Sequence, residues 1–340
     1  MGYAPRSDVL GTWEAIAARG GGFTHSPSAP LEKGNGDEKE TALLSASVAL
    51  AALLVAGGAA WAATLSFAPA KGYPAGDAPN GVAAGDLDGD GDQDLMSANS
   101  GGGFTDGRPD YSILGTVSVF KNRGDGTFAA ARNFTAGGAF EPSRLDRSDF
   151  DGDGDLDLVV SLQFTRAGDG GLAVMFNAGD GSFGLPQRYE IWSPESVIAN
   201  DLDGDGDQDL ATTGTDSYTI EVYKNRGDGT FEYSGSYYLN TEEDGAYGGQ
   251  YSPGSLTEAD FDRDGDVDLA TSHPPFDKIS VLLNSGDGTF GSYETVSPTF
   301  AAGDHPHEIT RARMNADSRP DLVVANGPTD KVSVLLNTTQ

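Results

Sequence analysis

The 340-residue chain contains no cysteine, so neither disulfide staples nor thiol chemistry can enter its fold or its function. Basic residues are scarce too: 21 Lys and Arg stand against 52 Asp and Glu, a formal net charge of −31. A surface of that sign repels phosphate backbones and anionic headgroups, which argues against nucleic acid as a partner. Only four histidines occur, and no Ser-His-Asp or zinc motif can be read from the sequence. Beyond residue 65 no segment keeps a helical apolar period, so amphipathic helices do not build the body of the chain.

What is present begins with a segmented N-terminus. Residues 1–40 are rich in Gly, Ser, Pro and charge without an apolar period, the composition of a disordered segment. No charged residue lies between Thr41 and Ala70, and residues 41–65 are almost wholly apolar, long enough to span a bilayer. Ala60-Trp61-Ala62 is also an A-x-A pattern of the kind signal peptidases cut, although the leader is longer and less basic than usual. A cleaved signal and a retained transmembrane anchor are both open, with a buried core helix behind them. Either of the first two makes residues 66–340 secreted or cell-surface, with membrane contact only through residues 41–65. If the segment is retained, Lys33 and Lys39 favour an N-terminus inside.

The remainder repeats itself. "DLDGDGDQDL" starts at Asp86, "DFDGDGDLDL" at Asp149, "DLDGDGDQDL" at Asp201, "DFDRDGDVDL" at Asp260, and an altered "RMNADSRPDL" at Arg313. Pro79, Pro142, Pro194, Pro253 and Pro306 each lie seven residues before a start, and Asn122, Asn177, Asn225, Asn284 and Asn337 follow in step. Four of these Asn open "N-x-G-D-G-[T/S]-F", ending at Phe128, Phe183, Phe231 and Phe290. Between the motifs run short β-branched stretches, and the Gly-Asp-Gly triplets are tight-turn chemistry. The pattern predicts an all-β propeller of five four-stranded blades over residues 66–340, closed by an N-terminal strand around Phe67–Tyr73.

Each acidic loop places aspartates at positions 1, 3, 5, 7 and 9 with a Gly at position 6. The candidate metal ligands are Asp86, Asp88, Asp90, Asp92 and Asp94; Asp149, Asp151, Asp153, Asp155 and Asp157; Asp201, Asp203, Asp205, Asp207 and Asp209; and Asp260, Asp262, Asp264, Asp266 and Asp268. Closely spaced carboxylates plus a backbone carbonyl suit calcium, which takes six to eight hard oxygen ligands. Position 7 is expected to ligate through its carbonyl with its side chain outward. An unneutralised acidic turn is the plainer alternative, but five carboxylates in nine residues repel one another strongly. An EF-hand is disfavoured, since flanking helices and a Glu at position 12 are missing. In the fifth copy Arg313, Asn315 and Arg319 replace three aspartates, leaving Asp317 and Asp321, so four calcium ions are expected rather than five.

These residues resemble the FG-GAP or VCBS repeat family, whose fold is that of the integrin α-subunit propeller. The resemblance, carried by "D-x-D-G-D-G-x-x-D-L" and "N-x-G-D-G-T-F", implies calcium loops on the lower face of an extracellular propeller. Members range from adhesins and lectin-like proteins to accessory domains of enzymes, so the resemblance does not choose a function. The family ring is usually seven-bladed, which leaves an open arc or a dimer as alternatives to closure here.

Two insertions, about Gly101–Gly115 and Tyr238–Ser252, belong to the face opposite the acidic loops. The second gathers Tyr233, Tyr237, Tyr238, Tyr247 and Tyr251 beside Glu242, Glu243 and Asp244. Tyr238, Tyr247 and Tyr251 are the candidate ligand-binding residues, for a glycan or an extracellular protein. An insertion packing on its own blade explains the same residues more plainly. His273, His305 and His307 share that face but sit in the ordinary register of the repeat, and Arg123-Gly124-Asp125 and Arg226-Gly227-Asp228 are spelled by the Asp-Gly turn. The expectation is a non-catalytic, calcium-binding recognition or adhesion module outside the cytoplasm. The alternative is a secreted polysaccharide hydrolase or lyase with a carboxylate pair on the propeller face.

Overall fold

Short apolar runs bounded by Gly-Asp-Gly turns fold as antiparallel strands, and their burial shows why the runs are nearly continuous. Leu158, Val159 and Val160 are all fully buried, yet Leu158 and Val160 face one apolar cluster while Val159 faces another. A strand between two stacked sheets buries both faces, so apolar residues need not alternate with polar ones.

The computed structural model describes residues 68–340, apart from 102, 106–107, 111–113, 137–140, 164–169, 192–193, 215–218, 242–248, 251–252, 292–298 and 340. The expected disordered segment and apolar stretch, residues 1–65, lie outside the described residues. No described helix is long and apolar enough to cross a membrane. Lys71–Gln340 form one compact unit.

In blade 1, β1 (Pro79–Gly85) and β2 (Asp94–Asn99) are followed by a small hairpin, β3 (Gly103–Thr105) and β4 (Arg108–Asp110), then β5 (Thr116–Phe120) and β6 (Arg132–Thr135). Blade 2 holds β7 (Glu141–Ser148), β8 (Asp157–Gln163), β9 (Gly171–Met175) and β10 (Gln187–Glu190). Blade 3 holds β11 (Pro194–Asn200), β12 (Asp209–Gly214), β13 (Thr219–Asn225) and β14 (Phe231–Tyr238), with the two-residue pair β15 (Asn240–Thr241) and β16 (Gly249–Gln250) beyond it. Blade 4 holds β17 (Leu256–Ala259), β18 (Asp268–His273), β19 (Lys278–Leu282) and β20 (Thr299–Ala301), and blade 5 holds β21 (Pro306–Ala312), β22 (Asp321–Asn326) and β23 (Lys331–Leu335). Each blade is an antiparallel meander, four-stranded in blades 1 to 4 and three-stranded in blade 5. The first strands gather around one axis, where a cavity of about 420 Å³ is lined from all five blades, by Gly85, Asp146, Asn200, Glu258 and Arg311 among others. The architecture is the expected five-bladed propeller.

Four apolar clusters fill the seams between successive blades, from blade 1 to blade 5. The outer-strand aromatics follow a rule: Phe134 meets Phe183, Tyr189 meets Phe231 and Tyr237 meets Phe290, edge to face at 5.4, 5.7 and 5.3 Å. Tyr73 meets Phe128 of blade 1 in the same way, at 5.3 Å. The closing strand expected around Phe67–Tyr73 is not formed among the described residues: 68–78 carry no strand, and β23 has no outer partner. The consequence is exposure on blade 5, where Val332 and Val334 are 65% and 45% exposed while the equivalent β9 is fully buried.

Truncating a seam residue should therefore be costly where truncating a surface apolar residue is not. Leu162→Ala, at a fully buried position, is expected to lower unfolding free energy by about 2–5 kcal/mol. Leu185→Ala, at a site 92% exposed, should stay within about 0.5 kcal/mol of wild type in the same urea titrations.

Candidate metal centres

Every acidic loop joins the first strand of its blade to the second, which puts the aspartates at one end of each sheet. The bend rests on positive φ: Gly91, Gly154, Gly206 and Gly265 at position 6 have φ between 91° and 103°, a region open to glycine at little cost. At position 4 the first three loops also use Gly, but the fourth holds Arg263 at φ 73°.

The curled backbone turns its N–H groups on the aspartates. Asp149 accepts from Gly152 and Gly154 at 2.8 and 3.0 Å, and Asp201 from Gly204 and Gly206 at 2.8 and 3.1 Å. Each position-5 carboxylate accepts the position-7 N–H at 2.9 Å. The position-9 aspartates are fully buried, and both of their oxygens are used. One accepts the position-2 N–H at 2.8–3.1 Å, and the other accepts the N–H of the downstream Asn at 2.8–2.9 Å. Those Asn side chains reach onward: Asn177, Asn225 and Asn284 donate to the carbonyls of Leu87, Phe150 and Leu202 in the preceding blade at 2.7–2.8 Å. The repeat shows the Asn in the sequence, but its role as a seam bolt was not read there. Its presence in the altered fifth copy was the available signal, because Asn337 makes the same bond to Phe261 at 2.8 Å.

Twelve of the twenty candidate aspartates converge. Oxygens of Asp149, Asp151 and Asp157, of Asp201, Asp203 and Asp209, and of Asp260, Asp262 and Asp268 each lie within 4.8 Å of one another, and so do those of Asp86, Asp88 and Asp90. These groups can hold a metal ion. In loop 1 the fit is marked further, since Asp86 Oδ1 and Asp88 Oδ1 are buried without a hydrogen-bond partner. A buried carboxylate oxygen left without a donor is unfavourable unless a cation meets it. The other eight, Asp92, Asp94, Asp153, Asp155, Asp205, Asp207, Asp264 and Asp266, fall outside the groups. The position-7 side chain lies against the Gly-Asp-Gly turn of its own blade: a Cβ on Gly179 would lie 2.6 Å from Asp155 Oδ2.

Burial raises the position-9 carboxyls despite their two N–H bonds, pushing Asp157 up to about 7 and Asp209 and Asp268 up to about 6. Two loops also carry an ammonium ion, Lys121 Nζ lying 3.0 Å from Asp88 and Lys224 Nζ 3.0 Å from Asp203. In the fifth loop Arg319 binds Asp317 at 2.6 Å and donates to the Thr339 carbonyl at 2.8 Å, while Asp321 keeps its bonds to Met314 and Asn337. No acidic group able to hold a metal occurs there among the described residues.

The opposite face is less uniform. Tyr238 ends β14, 46% exposed, whereas Tyr247 and Tyr251 lie outside the described residues. The histidines do not gather: His273 is buried against Ser280 Oγ at 2.8 Å, and His305 sits with Asp304 and Asp277 at 2.7 and 3.8 Å. Near the axis, Arg144 of β7 pairs with Glu308 of β21 at 2.7 Å. Burial raises the Glu195 carboxyl of β11, with Arg144, His307 and Glu308 acting on it. The Arg-Gly-Asp tripeptides are turns, Asp125 and Asp228 each accepting an N–H two residues on, from Thr127 and Thr230.

A model of the FG-GAP-like repeat matches four overlapping stretches, residues 105–160, 149–212, 201–271 and 260–324. The chain belongs to that family. Solved structures similar to this FG-GAP-like chain include the periplasmic gluconolactonase PpgL of Pseudomonas aeruginosa, at 16% identity and TM-score 0.49, over 76% of this chain and 66% of that one. An Agrocybe aegerita lectin that recognises non-reducing terminal N-acetylglucosamine matches at 16% identity and TM-score 0.34, over 76% of this chain and 80% of that one. No curated protein matches the sequence.

Two outcomes follow from the loop chemistry. Arg263→Gly removes a side chain from a left-handed position and should raise stability by about 1 kcal/mol in chemical denaturation. In excess chelator, melting temperature should fall as pH rises from about 5 to about 8. The raised position-9 carboxyls contribute stability fully below the unfolded value of about 3.9, and that contribution is lost as pH passes their folded values of about 6 to 7.

Proposed function

We propose that this FG-GAP-like propeller binds calcium in its first four loops and serves outside the cytoplasm as a non-catalytic module recognising a glycan or an extracellular protein. The observation that carries the metal reading is the convergence of carboxylates in loops 1 to 4, with two buried oxygens of Asp86 and Asp88 left without donors. Oxygen-only donors in a flexible loop suit a hard divalent cation of calcium's size. Asp86, Asp88 and Asp90, and the position 1, 3 and 9 aspartates of the next three loops, would hold it. Bound calcium would supply the positive charge that offsets carboxylate repulsion at each seam. The extracytoplasmic reading rests on the uncharged stretch from Thr41 to Ala70.

Recognition is assigned to the face opposite the loops, where the insertions lie and Tyr238 is exposed. Tyr247 and Tyr251 belong to the same proposed surface. A glycan array probed with the full chain in calcium should give hits that Tyr247→Ala and Tyr251→Ala abolish. A folded, calcium-loaded chain with no hits would turn the assignment to a protein partner. Calcium itself is tested by melting: a ligand that binds only the folded state adds roughly 4 kcal/mol per site at a thousandfold excess over Kd. Chelator should therefore lower the melting temperature steeply, and an unchanged melting curve would defeat the metal reading.

A second reading, a carboxylate-based polysaccharide hydrolase or lyase, is favoured by one arrangement. Glu195 and Glu308 face the axis with Arg144 and His307, and Glu195 is held towards its protonated form by burial. Polysaccharide turnover abolished by Glu195→Gln would establish that reading over the first.

A further inference from the structure

We propose that Lys121 and Lys224 divide the four acidic loops into two affinity classes, loops 1 and 3 binding calcium at least about tenfold more weakly than loops 2 and 4. The inference rests on the calcium reading above and concerns residues outside the loops themselves. Lys121 and Lys224 each stand just before the seam Asn of blades 1 and 3, at the end of the third strand. Their ammonium groups lie 3.0 Å from one oxygen of Asp88 and of Asp203, the position-3 aspartates of loops 1 and 3. Both carboxylates are well shielded, with side chains 17% and 14% exposed. Lys224 is held further in place by the Asp287 carbonyl in the next blade, 2.6 Å from its Nζ.

The same position in blades 2 and 4 is occupied by Phe176 and Leu283, which carry no charge. The acidic sequences of loops 1 and 3 are identical from Asp86 to Leu95 and from Asp201 to Leu210. Loop 2 carries the same aspartates and glycines as loops 1 and 3 and differs only in the uncharged residues Phe150 and Leu156, so the charge that separates these loops comes from outside them, in the alternation Lys, Phe, Lys, Leu. An ammonium ion sharing a ligand carboxylate repels an incoming divalent cation and withdraws one oxygen from it. Tenfold weaker binding corresponds to about 1.4 kcal/mol, a modest fraction of a Coulomb term at that separation.

The test is calorimetric titration of calcium into the chelator-stripped full chain. Wild type should give two tight and two weaker sites. Lys121→Met combined with Lys224→Met should merge them into one class of four, the weaker pair tightening about tenfold. Lys121→Arg with Lys224→Arg, which keeps the charges, should preserve two classes. Leu283→Lys, at a position 40% exposed where folding is not at stake, should move one site from tight to weak. Four equivalent sites in wild type, or two classes surviving the Met substitutions, would overturn the role of the lysines while leaving the calcium reading standing. No calcium uptake at all would overturn the calcium reading and the division with it.

Discussion

Everything in the propeller hangs on a buried aspartate whose two carboxylate oxygens both hold backbone. At position 9 of each loop one carboxylate oxygen takes the N–H of position 2 and the other takes the N–H of the seam asparagine. The asparagine side chain then donates across the seam, so one carboxylate, two N–H groups and one amide fix a loop, the third-strand end of its own blade and the neighbour behind it. A charged acceptor with two backbone donors is a strong arrangement, and removing it would leave those donors buried and unpaired. The apolar seams supply the bulk of the stabilisation, but this network decides how far apart and in what order the blades stand.

The fifth loop separates that structural duty from metal binding. Asp321 keeps both of its bonds and Asn337 keeps its reach to Phe261, although the acidic group around them is gone. Arg319 covers Asp317 with its own guanidinium, which holds the Asp317 carboxyl below its usual range, and the loop closes without a cation. Positions 1, 3 and 7 are thus the variable part of the device, and position 9 with its asparagine is the fixed part. At the same seam the place beside Phe261 is a cavity of about 270 Å³, where the other seams receive Phe183, Phe231 and Phe290 from the Gly-Asp-Gly turns.

Much of this was legible in the sequence, because a repeat writes the same physics several times. The blade count, the placement of both insertions and the candidate loops can be read from spacing, and the failure of the fifth copy from Arg313, Asn315 and Arg319 at aspartate positions. Sequence spacing does not reveal which atoms a carboxylate serves. Asp94 and Asp90 look alike on paper, yet one is fully buried on two N–H groups and the other is exposed in the cluster. Lys121 and Lys224 were similarly invisible, being remote in sequence from the loops they touch. Register does not reveal that His273 is buried: it ends a strand whose residues are all buried and bonds Ser280 within the sheet rather than facing a surface. Phe67 precedes Tyr73 by the spacing that separates Phe128 from Phe134, Phe183 from Tyr189 and Phe231 from Tyr237, but it lies outside the described residues.

The two ends of the propeller obey different constraints. At the loop end the position-9 carboxylates and the seam asparagines are committed to repeated bonds, so a substitution of one of them disturbs a seam before it alters a surface. At the other end lie the connections between second and third strands and between blades, and two of them are lengthened relative to the repeat. A surface connection can lengthen at small cost, since loop entropy rises only slowly with length. Both insertions sit there, together with Tyr238 and the axial group of Arg144, Glu195, His307 and Glu308. Charge separates the ends as well: the loops concentrate carboxylates that need a cation, while the axial group already balances acid against Arg144. The repeat therefore fixes a platform, and the face whose sequence the repeat does not dictate is the one to which recognition is proposed to belong.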